Sequence, residues 1–162
     1  MANIAFLGAG MMGQPIIQNF LRGGHAVKVY NRTLAKAKPL EALGAVLAET
    51  PRDAASGVDA IFSSVINDDA SRAVWTGTDG ALQADLQAGA YAIEMSTVSL
   101  TWVSELRDLA TGRGLHFMDC PVAGRPDVAE AGQLKVFAGG SAEDVDAMRP
   151  ILDAISKSVM HV

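Results

Sequence analysis

Cysteine and aromatic side chains are scarce in this 162-residue chain. Cys120 is the single cysteine, so the chain can form no internal disulfide and no cysteine-based zinc site. The three histidines, His25, His116 and His161, lie far apart in the sequence and lack the spacing of metal ligands. Aromatic residues make up only 6% of the chain, whereas glycine occurs 16 times. This composition suits close packing of helices on a sheet better than a β-sandwich.

Positive charge is also in short supply, because 13 basic residues face 18 acidic ones and the formal net charge is −5. A mildly acidic chain offers no basic surface to nucleic acid or to an anionic membrane. No apolar run approaches the roughly 20 residues that a membrane helix needs. The first residues, Met1-Ala2-Asn3, lack the positive charge of a signal peptide. We therefore expect a soluble, cytoplasmic protein that binds neither nucleic acid nor a membrane.

Short β-branched runs alternate with longer amphipathic stretches, and the length fits one domain, residues 1–162. With 49% apolar and 19% charged residues, the chain can bury a core. The predicted strands are residues 4–7, 26–30, 45–47, 60–65, 89–95, 116–119, 134–138 and 159–162. The predicted helices are residues 11–22, 34–43 after a Thr33 cap, a short one from Pro51 after a Thr50 cap, 68–75, 99–111 and 141–156. This alternation predicts an α/β, Rossmann-like doubly wound fold, with a mainly parallel sheet and helices on both faces.

A glycine-rich turn joins the first predicted strand to the first predicted helix. The segment Gly8-Ala9-Gly10-Met11-Met12-Gly13 matches the pattern G-x-G-x-x-G in this context. The first glycine allows the tight bend, the second lets the backbone approach a diphosphate, and the third lets the helix pack on the strand. Unpaired N–H groups at the start of the helix supply an anion site. The turn predicts dinucleotide binding, with a turn that serves packing alone as the alternative.

The end of the second predicted strand indicates which dinucleotide is bound. An Asp or Glu usually holds a free ribose 2′-hydroxyl at this position, but the sequence here is Tyr30-Asn31-Arg32-Thr33. A carboxylate would repel a 2′-phosphate, whereas a guanidinium can hold it with two hydrogen bonds. We therefore expect NADP as the cofactor, with NAD as the alternative. Arg32 as a solvated loop charge and Thr33 as a simple helix cap are the structural alternatives.

Three segments spread along the chain carry related patterns: Gly8-Ala9-Gly10-Met11-Met12-Gly13-Gln14-Pro15, Ser96-Thr97-Val98 and Asp119-Cys120-Pro121-Val122-Ala123-Gly124-Arg125. In this order they resemble the G-x-G-x-M-G-x-P opening, the S-T segment and the D-x-P-V-S-G-G substrate motif of the β-hydroxyacid dehydrogenases. That family includes 3-hydroxyisobutyrate dehydrogenase, tartronate semialdehyde reductase and glyoxylate/succinic semialdehyde reductase. The resemblance covers nearly the whole chain, and three ordered motifs are more specific than the glycines alone.

The resemblance implies a role for each matched position. Those implied to bind the cofactor are Gly8, Ala9, Gly10, Met11, Met12 and Gly13 at the diphosphate, Asn31, Arg32 and Thr33 at the adenosine ribose and its phosphate, Val65 and Ile66 on the adenine–ribose side, and Thr97 at the nicotinamide half. Those implied to bind the substrate are Ser96, Val122, Ala123, Gly124 and Arg125. The backbone N–H groups of Val122, Ala123 and Gly124 would face a substrate carboxylate. Core packing of Val65 and Val122, and helix capping by Thr97, are the plain alternatives.

Two positions depart from the family's substrate motif, since its serine is Ala123 here and its second glycine is Arg125. Arg125 either binds an anionic substrate or faces solvent. The family also uses a lysine as general acid/base, in a G-x-G-x-x-x-K context on the helix that follows the nucleotide domain. None of the lysines has this context: Lys28, Lys36, Lys38, Lys135 and Lys157. Lys135 is expected to be a solvated charge on an edge strand.

We therefore expect residues 1–162 to be the nucleotide domain of a longer dehydrogenase, without the family's catalytic lysine and its helical second domain. The intact protein would be an NADP-dependent oxidoreductase and a homo-oligomer. It would transfer a hydride between the nicotinamide and a small 3-hydroxy acid, or the corresponding semialdehyde or keto acid. The 162-residue chain by itself should bind the cofactor with little or no turnover.

Two alternatives of other classes stay open. One is an imine-reductase-like enzyme, whose amino-terminal motifs are similar, and the other is a free-standing NADP sensor or interaction domain.

Cys120 is a further candidate site residue, because a cysteine between an aspartate and a proline can be interpreted as a nucleophile. No histidine is placed in the sequence to activate it, so we expect a small buried filler.

Overall fold

The computed structural model describes the whole chain, Met1–Val162. Its main sheet has six strands: β1 (Asn3–Leu7), β2 (Ala26–Tyr30), β3 (Val46–Leu47), β4 (Ala60–Ser63), β5 (Tyr91–Glu94) and β6 (His116–Asp119). All of them are parallel, in the order β3-β2-β1-β4-β5-β6. The strand order reverses between β1 and β4, and this is where open α/β sheets form a crevice at the carboxyl ends of their strands.

Seven helices connect the strands: α1 (Gly13–Arg22), α2 (Leu34–Ala37), α3 (Pro51–Ala55), α4 (Asp68–Thr76), α5 (Leu100–Gly112), α6 (Pro126–Glu130) and α7 (Ala142–Leu152). Two 3₁₀ turns, Lys38–Leu43 and Ala81–Gln83, follow α2 and α4. Two helix starts carry the capping bonds that their sequences predict. Thr50 Oγ1 accepts from the Asp53 N–H at 3.0 Å, and Ser99 Oγ accepts from the Trp102 N–H at 3.2 Å.

Two apolar cores cover the two faces of the main sheet. Successive β1 residues alternate between them, since Phe6 belongs to a cluster of 25 buried residues and Leu7 to a cluster of 18. Helices α1, α6 and α7 contribute to the first cluster, and α3, α4 and α5 contribute to the second. The expected doubly wound arrangement, with helices on both faces, is confirmed.

The last part of the chain forms a separate small sheet instead of extending the main one. Its strands are β7 (Val122–Ala123), β8 (Leu134–Ala138) and β9 (Ser156–His161). Strand β8 lies in the middle, antiparallel to β7 and parallel to β9. Lys135 is exposed as expected, but its strand is paired on both sides, so the prediction of an edge strand is wrong.

Several predicted boundaries differ from the observed ones for local reasons. The helix predicted over residues 34–43 divides into α2 and a 3₁₀ turn, because Pro39 lacks the N–H that would continue the α-helical pattern. Thr33 stands at the start of α2 without a side-chain capping bond. Helix α1 begins at Gly13 instead of Met11. The final helix ends at Leu152, and β9 starts at Ser156, where pairing with β8 determines the conformation.

A buried amide joins the main sheet to the small one. Asn19, on α1, donates from Nδ2 to the Ala129 carbonyl at 2.7 Å and to the Glu130 carbonyl at 3.4 Å. These carbonyls belong to the last turn of α6, so the side chain satisfies acceptors that a helix end leaves without partners.

In this structure, no helix combines the length and the apolar character needed to cross a membrane.

Candidate functional site

A cleft of about 1070 Å³ opens at the carboxyl ends of the strands, where β1 and β4 diverge. Four connections form its walls: the glycine turn after β1, the segment after β2, the β4–α4 loop and the β5–α5 loop. Val122 and Gly124 from the start of the small sheet complete the wall. Fourteen of the seventeen residues that the sequence predicts for the site line this cleft: Gly8, Gly10, Met11, Met12, Gly13, Asn31, Arg32, Thr33, Val65, Ile66, Ser96, Thr97, Val122 and Gly124.

The three glycines of the turn have different surroundings. Gly8 has a φ of 110°, and a Cβ there would lie 2.1 Å from the Ser64 carbonyl oxygen. A Cβ at Gly13 would lie 2.0 Å from the Gly8 carbonyl oxygen, so these two glycines permit close packing of backbone on backbone. A Cβ at Gly10 would meet no atom within 4 Å. The second glycine therefore borders open space in the cleft, where a ligand can approach the backbone.

The backbone N–H groups between the turn and α1 are available to a ligand. Gly10, Met11 and Met12 line the cleft, and none of their amides donates a hydrogen bond within the protein. The first turn of α1 contains no acidic side chain, and no side chain caps it. Free amides at the positive end of a helix dipole bind anions, so this turn fits a diphosphate.

Asn31 connects the glycine turn to the segment after β2. Its Oδ1 accepts from the Ala9 N–H at 2.9 Å, and its Nδ2 donates to the Thr33 carbonyl at 2.8 Å. The amide is therefore engaged in holding two walls of the cleft together. Ala9 itself is fully buried and does not line the cleft, and its carbonyl accepts from Gln14 Nε2 at 2.9 Å.

Arg32 is exposed, lines the cleft and makes no ion pair or hydrogen bond with another side chain. Lys36, which the sequence interpretation did not include in the site, lines the same wall. Two cations therefore stand beside the end of β2, where a dinucleotide-binding domain holds the adenosine ribose. The available signal for Lys36 was its position in the short helix α2, directly after the segment with Arg32.

The β4–α4 and β5–α5 loops are hydrogen-bonded to each other through Ser96. Its Oγ accepts from the Val65 N–H at 2.8 Å, and its own N–H donates to Glu94 Oε1 at 2.8 Å. Thr97 lines the cleft, and because Ser99 caps α5, Thr97 is not the cap. Ile66 is 88% exposed beside the cleft, whereas Val65 packs partly against the second core.

Glu94 is a residue of this region that the sequence interpretation missed. It is fully buried at the end of β5, and it accepts from Ser71 Oγ at 2.5 Å and from Trp75 Nε1 at 3.0 Å as well as from Ser96. The available sequence signal for Glu94 was its position as a single acidic residue at the end of the apolar run Tyr91-Ala92-Ile93-Glu94. A carboxylate that is buried with such a run needs several hydrogen-bond donors around it.

Two residues of the predicted substrate motif do not reach the cleft. Ala123 lies opposite Lys135 in the pairing of β7 with β8, away from the cleft wall. The Arg125 side chain is 81% exposed and pairs with Asp127 at 3.2 Å, so it faces solvent in this structure. Gly124 does line the cleft, with a φ of 150°.

Cys120 is fully buried in the first core. Burial raises the pKa of its thiol to about 12, and the neighbouring charge of Asp119 adds to the rise. A thiol with such a pKa supplies almost no thiolate at neutral pH. The expectation of a buried filler instead of a nucleophile is confirmed.

A doubly wound parallel sheet, with a glycine turn and free amides at its strand reversal, defines a dinucleotide-binding domain. The family model for the NAD binding domain of 6-phosphogluconate dehydrogenase matches residues 3–162. The chain belongs to this family.

Among curated proteins, an uncharacterized oxidoreductase, YfjR, of Bacillus subtilis is 38% identical over 98% of this chain and 55% of its own length. The NAD-dependent L-serine dehydrogenase of Pseudomonas aeruginosa is 33% identical over 99% of the chain and 54% of its own length. The chain therefore spans about half the length of the curated relatives that it matches.

Solved structures agree with this placement. The 3-hydroxyisobutyrate dehydrogenase of Mycobacterium tuberculosis, solved with L-serine, superposes with a TM-score of 0.92 at 28% identity over 99% of this chain and 54% of that one. An imine reductase from Myxococcus stipitatus with NADP+ gives a TM-score of 0.89 at 30% identity over 99% of the chain and 54% of its own. The chain is therefore an NAD(P)-binding domain of this family, similar to domains found in 3-hydroxyisobutyrate dehydrogenases and imine reductases.

Proposed function

We propose that this chain binds NADP(H) in the cleft, with the diphosphate at the free amides of Gly10, Met11 and Met12 and the 2′-phosphate at Arg32. The single observation that carries this proposal is the combination of unpaired amides and an unpaired guanidinium along one cleft. A 2′-phosphate needs a cation at this place, and the absence of an Asp or Glu at the end of β2 removes the usual partner of an NAD ribose.

The geometry divides the cleft between the two halves of the cofactor. The adenosine half would lie between Arg32 and the β4–α4 loop, and the nicotinamide half beside Ser96 and Thr97, next to Val122. When bound, the nicotinamide supplies or accepts the hydride. The residues of the chain would orient the ring and limit the access of water to it.

We further propose that residues 1–162 are the nucleotide domain of a longer, cytoplasmic and homo-oligomeric oxidoreductase that acts on the CH–OH group of a small 3-hydroxy acid. The general acid/base would come from outside these residues. Lys36, the lysine in the cleft wall, stands near Arg32 at the adenosine side, and Lys135 is exposed on the small sheet. Lys36 is the one lysine among the residues that line the cleft.

Fluorescence titration of the chain with NADPH and NADH tests the proposal. We expect NADPH to bind at least about tenfold more tightly, because the charge-assisted bonds to the 2′-phosphate are made by NADPH alone. Equal affinities would contradict the NADP assignment, and no binding of either would contradict the function as a whole. A protein solved as an NADP+ complex and an NAD-dependent relative both match the chain, so the titration distinguishes two real cases.

An imine-reductase-like activity is the second candidate, favoured by the solved imine reductase at 30% identity and by Ala123 in place of the serine of the resembled substrate motif. The intact protein, assayed with 3-hydroxyisobutyrate, L-serine and a cyclic imine, separates the two activities. Reduction of the imine without turnover of either hydroxy acid would favour the second candidate. A cofactor sensor would bind NADPH and turn over none of the three.

A further inference from the structure

The buried polar network behind the cleft converges on Glu94. Its carboxylate accepts three hydrogen bonds: from Ser71 Oγ and Trp75 Nε1, both on α4, and from the backbone N–H of Ser96. Ser71 Oγ in turn accepts from Trp102 Nε1, on α5, at 2.7 Å. All the side chains of this network except that of Ser96, which is 5% exposed, lie in the second core or are fully buried beside it.

We propose that Glu94 is a positioning residue for the bound cofactor: it holds the β4–α4 and β5–α5 loops at the separation that the nicotinamide half requires. Glu94 does not line the cleft. It acts through Ser96, whose N–H it fixes and whose Oγ fixes the Val65 N–H. This inference rests on the proposed binding of NADP(H).

The helix side of the network provides a rigid anchor. Trp75 and Trp102 are among the largest fully buried side chains of the protein, so their indole N–H groups cannot shift without repacking the core. The opposite end of the β5–α5 loop is anchored too, because Asp68 accepts from the Ser99 N–H at 2.8 Å and also from Ser99 Oγ. The loop that presents Thr97 to the cleft is therefore fixed on both sides, by Glu94 through Ser96 and by Asp68 through Ser99.

The network needs a carboxylate at this position, because every neighbour donates. An ionised carboxylate is an acceptor at both oxygens, whereas an amide offers one acceptor and two donors. In Glu94→Gln the amide oxygen can serve Ser71 and Trp75, but the amide nitrogen then faces the N–H of Ser96. The variant should keep its contacts to α4 and release the loop.

Binding of two ligands to Glu94→Gln, compared with the unaltered chain, tests the inference. NADPH spans both halves of the cleft, and 2′,5′-ADP occupies only the adenosine half. We expect the affinity for NADPH to fall about tenfold, which is the effect of losing one hydrogen bond to a charged group. The affinity for 2′,5′-ADP should change less than about twofold, because the glycine turn and Arg32 make no bond to the network, and the bond from the Val65 N–H to Ser96 Oγ is kept in this variant.

Trp102→Phe is the matched control, since it removes a buried indole N–H from the same network and leaves all three bonds to Glu94 in place. It should lower the unfolding midpoint without changing the ratio of the two affinities. If Glu94 had a purely structural role, each variant would lower the affinity for both ligands, in proportion to its own loss of stability.

Three results would overturn the inference. They are unchanged NADPH binding in Glu94→Gln, an equal fall in the affinities for both ligands in that variant, or the same change in the ratio of the two affinities in Trp102→Phe. If Glu94→Gln does not fold, Glu94→Asp tests the same link, because the shorter side chain keeps a carboxylate but draws it back from the Ser96 N–H. There too, NADPH binding must weaken relative to 2′,5′-ADP. Failure of the unaltered chain to bind either ligand would instead refute the proposed function, which separates the two outcomes.

Discussion

Glu94 and Asp119 are register partners on the parallel strands β5 and β6, so their carboxyl groups lie side by side on the same face of the main sheet. Glu94 is surrounded by hydrogen-bond donors, whereas the Asp119 side chain makes no hydrogen bond within the protein. Burial, together with a smaller contribution from the charge of Glu94, raises the pKa of Asp119 from 3.8 to about 6. The folded protein therefore holds a proton on Asp119 in mildly acidic solution, where an unfolded chain would not.

Asp119→Asn should stabilise the protein at high pH only. A raised pKa in the folded state means that the ionised carboxylate opposes folding above pH 6, and that this penalty disappears below the unfolded pKa of about 4. After allowance for partial exposure, we expect a gain of about 1 kcal/mol in the free energy of unfolding at pH 8 and none at pH 4. Urea denaturation at the two pH values measures it. A gain of the same size at both values would show that charge is not the cause.

Alanine at two positions of the glycine turn should separate binding from folding. Gly10→Ala places a methyl group in open space, so the stability should change by less than about 1 kcal/mol while NADPH binding falls at least about tenfold. Gly13→Ala drives a Cβ to 2.0 Å from the Gly8 carbonyl oxygen and should destabilise the protein by more than about 2 kcal/mol. Thermal unfolding and NADPH titration of both variants check this. Tight NADPH binding by a folded Gly10→Ala variant would place the diphosphate elsewhere.

Arg32→Ala should change the choice of cofactor without affecting the fold. The guanidinium is exposed and unpaired, so its loss removes contacts to a 2′-phosphate and no contact within the protein. We expect the affinity for NADPH to fall between about 10- and 100-fold and that for NADH to stay within about twofold. Isothermal titration with both cofactors is the measurement. A parallel loss for NADH would mean that Arg32 contacts a part that the two cofactors share.

Cys120 should resist thiol reagents in the folded protein. It is fully buried and its pKa is raised to about 12, so both access and thiolate are lacking. A colorimetric disulfide reagent should react with less than about one tenth of the protein under native conditions and with all of it in denaturant. Rapid native labelling, with retained cofactor binding, would show that the core around this residue opens.

Local sequence patterns correctly predict the strand bounds and helix caps that depend mainly on neighbouring residues in the chain. Strands β2, β6 and β8 have the bounds that their apolar runs predict, and the caps at Thr50 and Ser99 form the expected bonds. The two-residue strand β7 has no pattern of its own, and it exists only through its pairing with β8. The same limit explains why the residue pattern predicts one sheet, whereas the structure has two.

The cleft was largely predictable because its lining follows directly from motifs that end strands. A residue that reaches the cleft only through a hydrogen bond to another residue has no such motif in the sequence, and Glu94 is the clearest case. Its donors Ser71 and Ser96 come from different elements and meet only after the sheet and helices have packed. Arg125 lies outside the cleft in this structure, where it pairs with its neighbour Asp127 at 3.2 Å.

The bonds from Asn19 to the end of α6 have a mechanical consequence. Helix α1 starts at the glycine turn, and α6 follows the segment that contains Val122 and Gly124. Because these two helices are tied together, the glycine turn and the segment with Val122 and Gly124 form one rigid unit on the same side of the cleft. A movement that narrowed the cleft around a bound nucleotide would therefore leave the spacing between the glycine turn and Val122 unchanged.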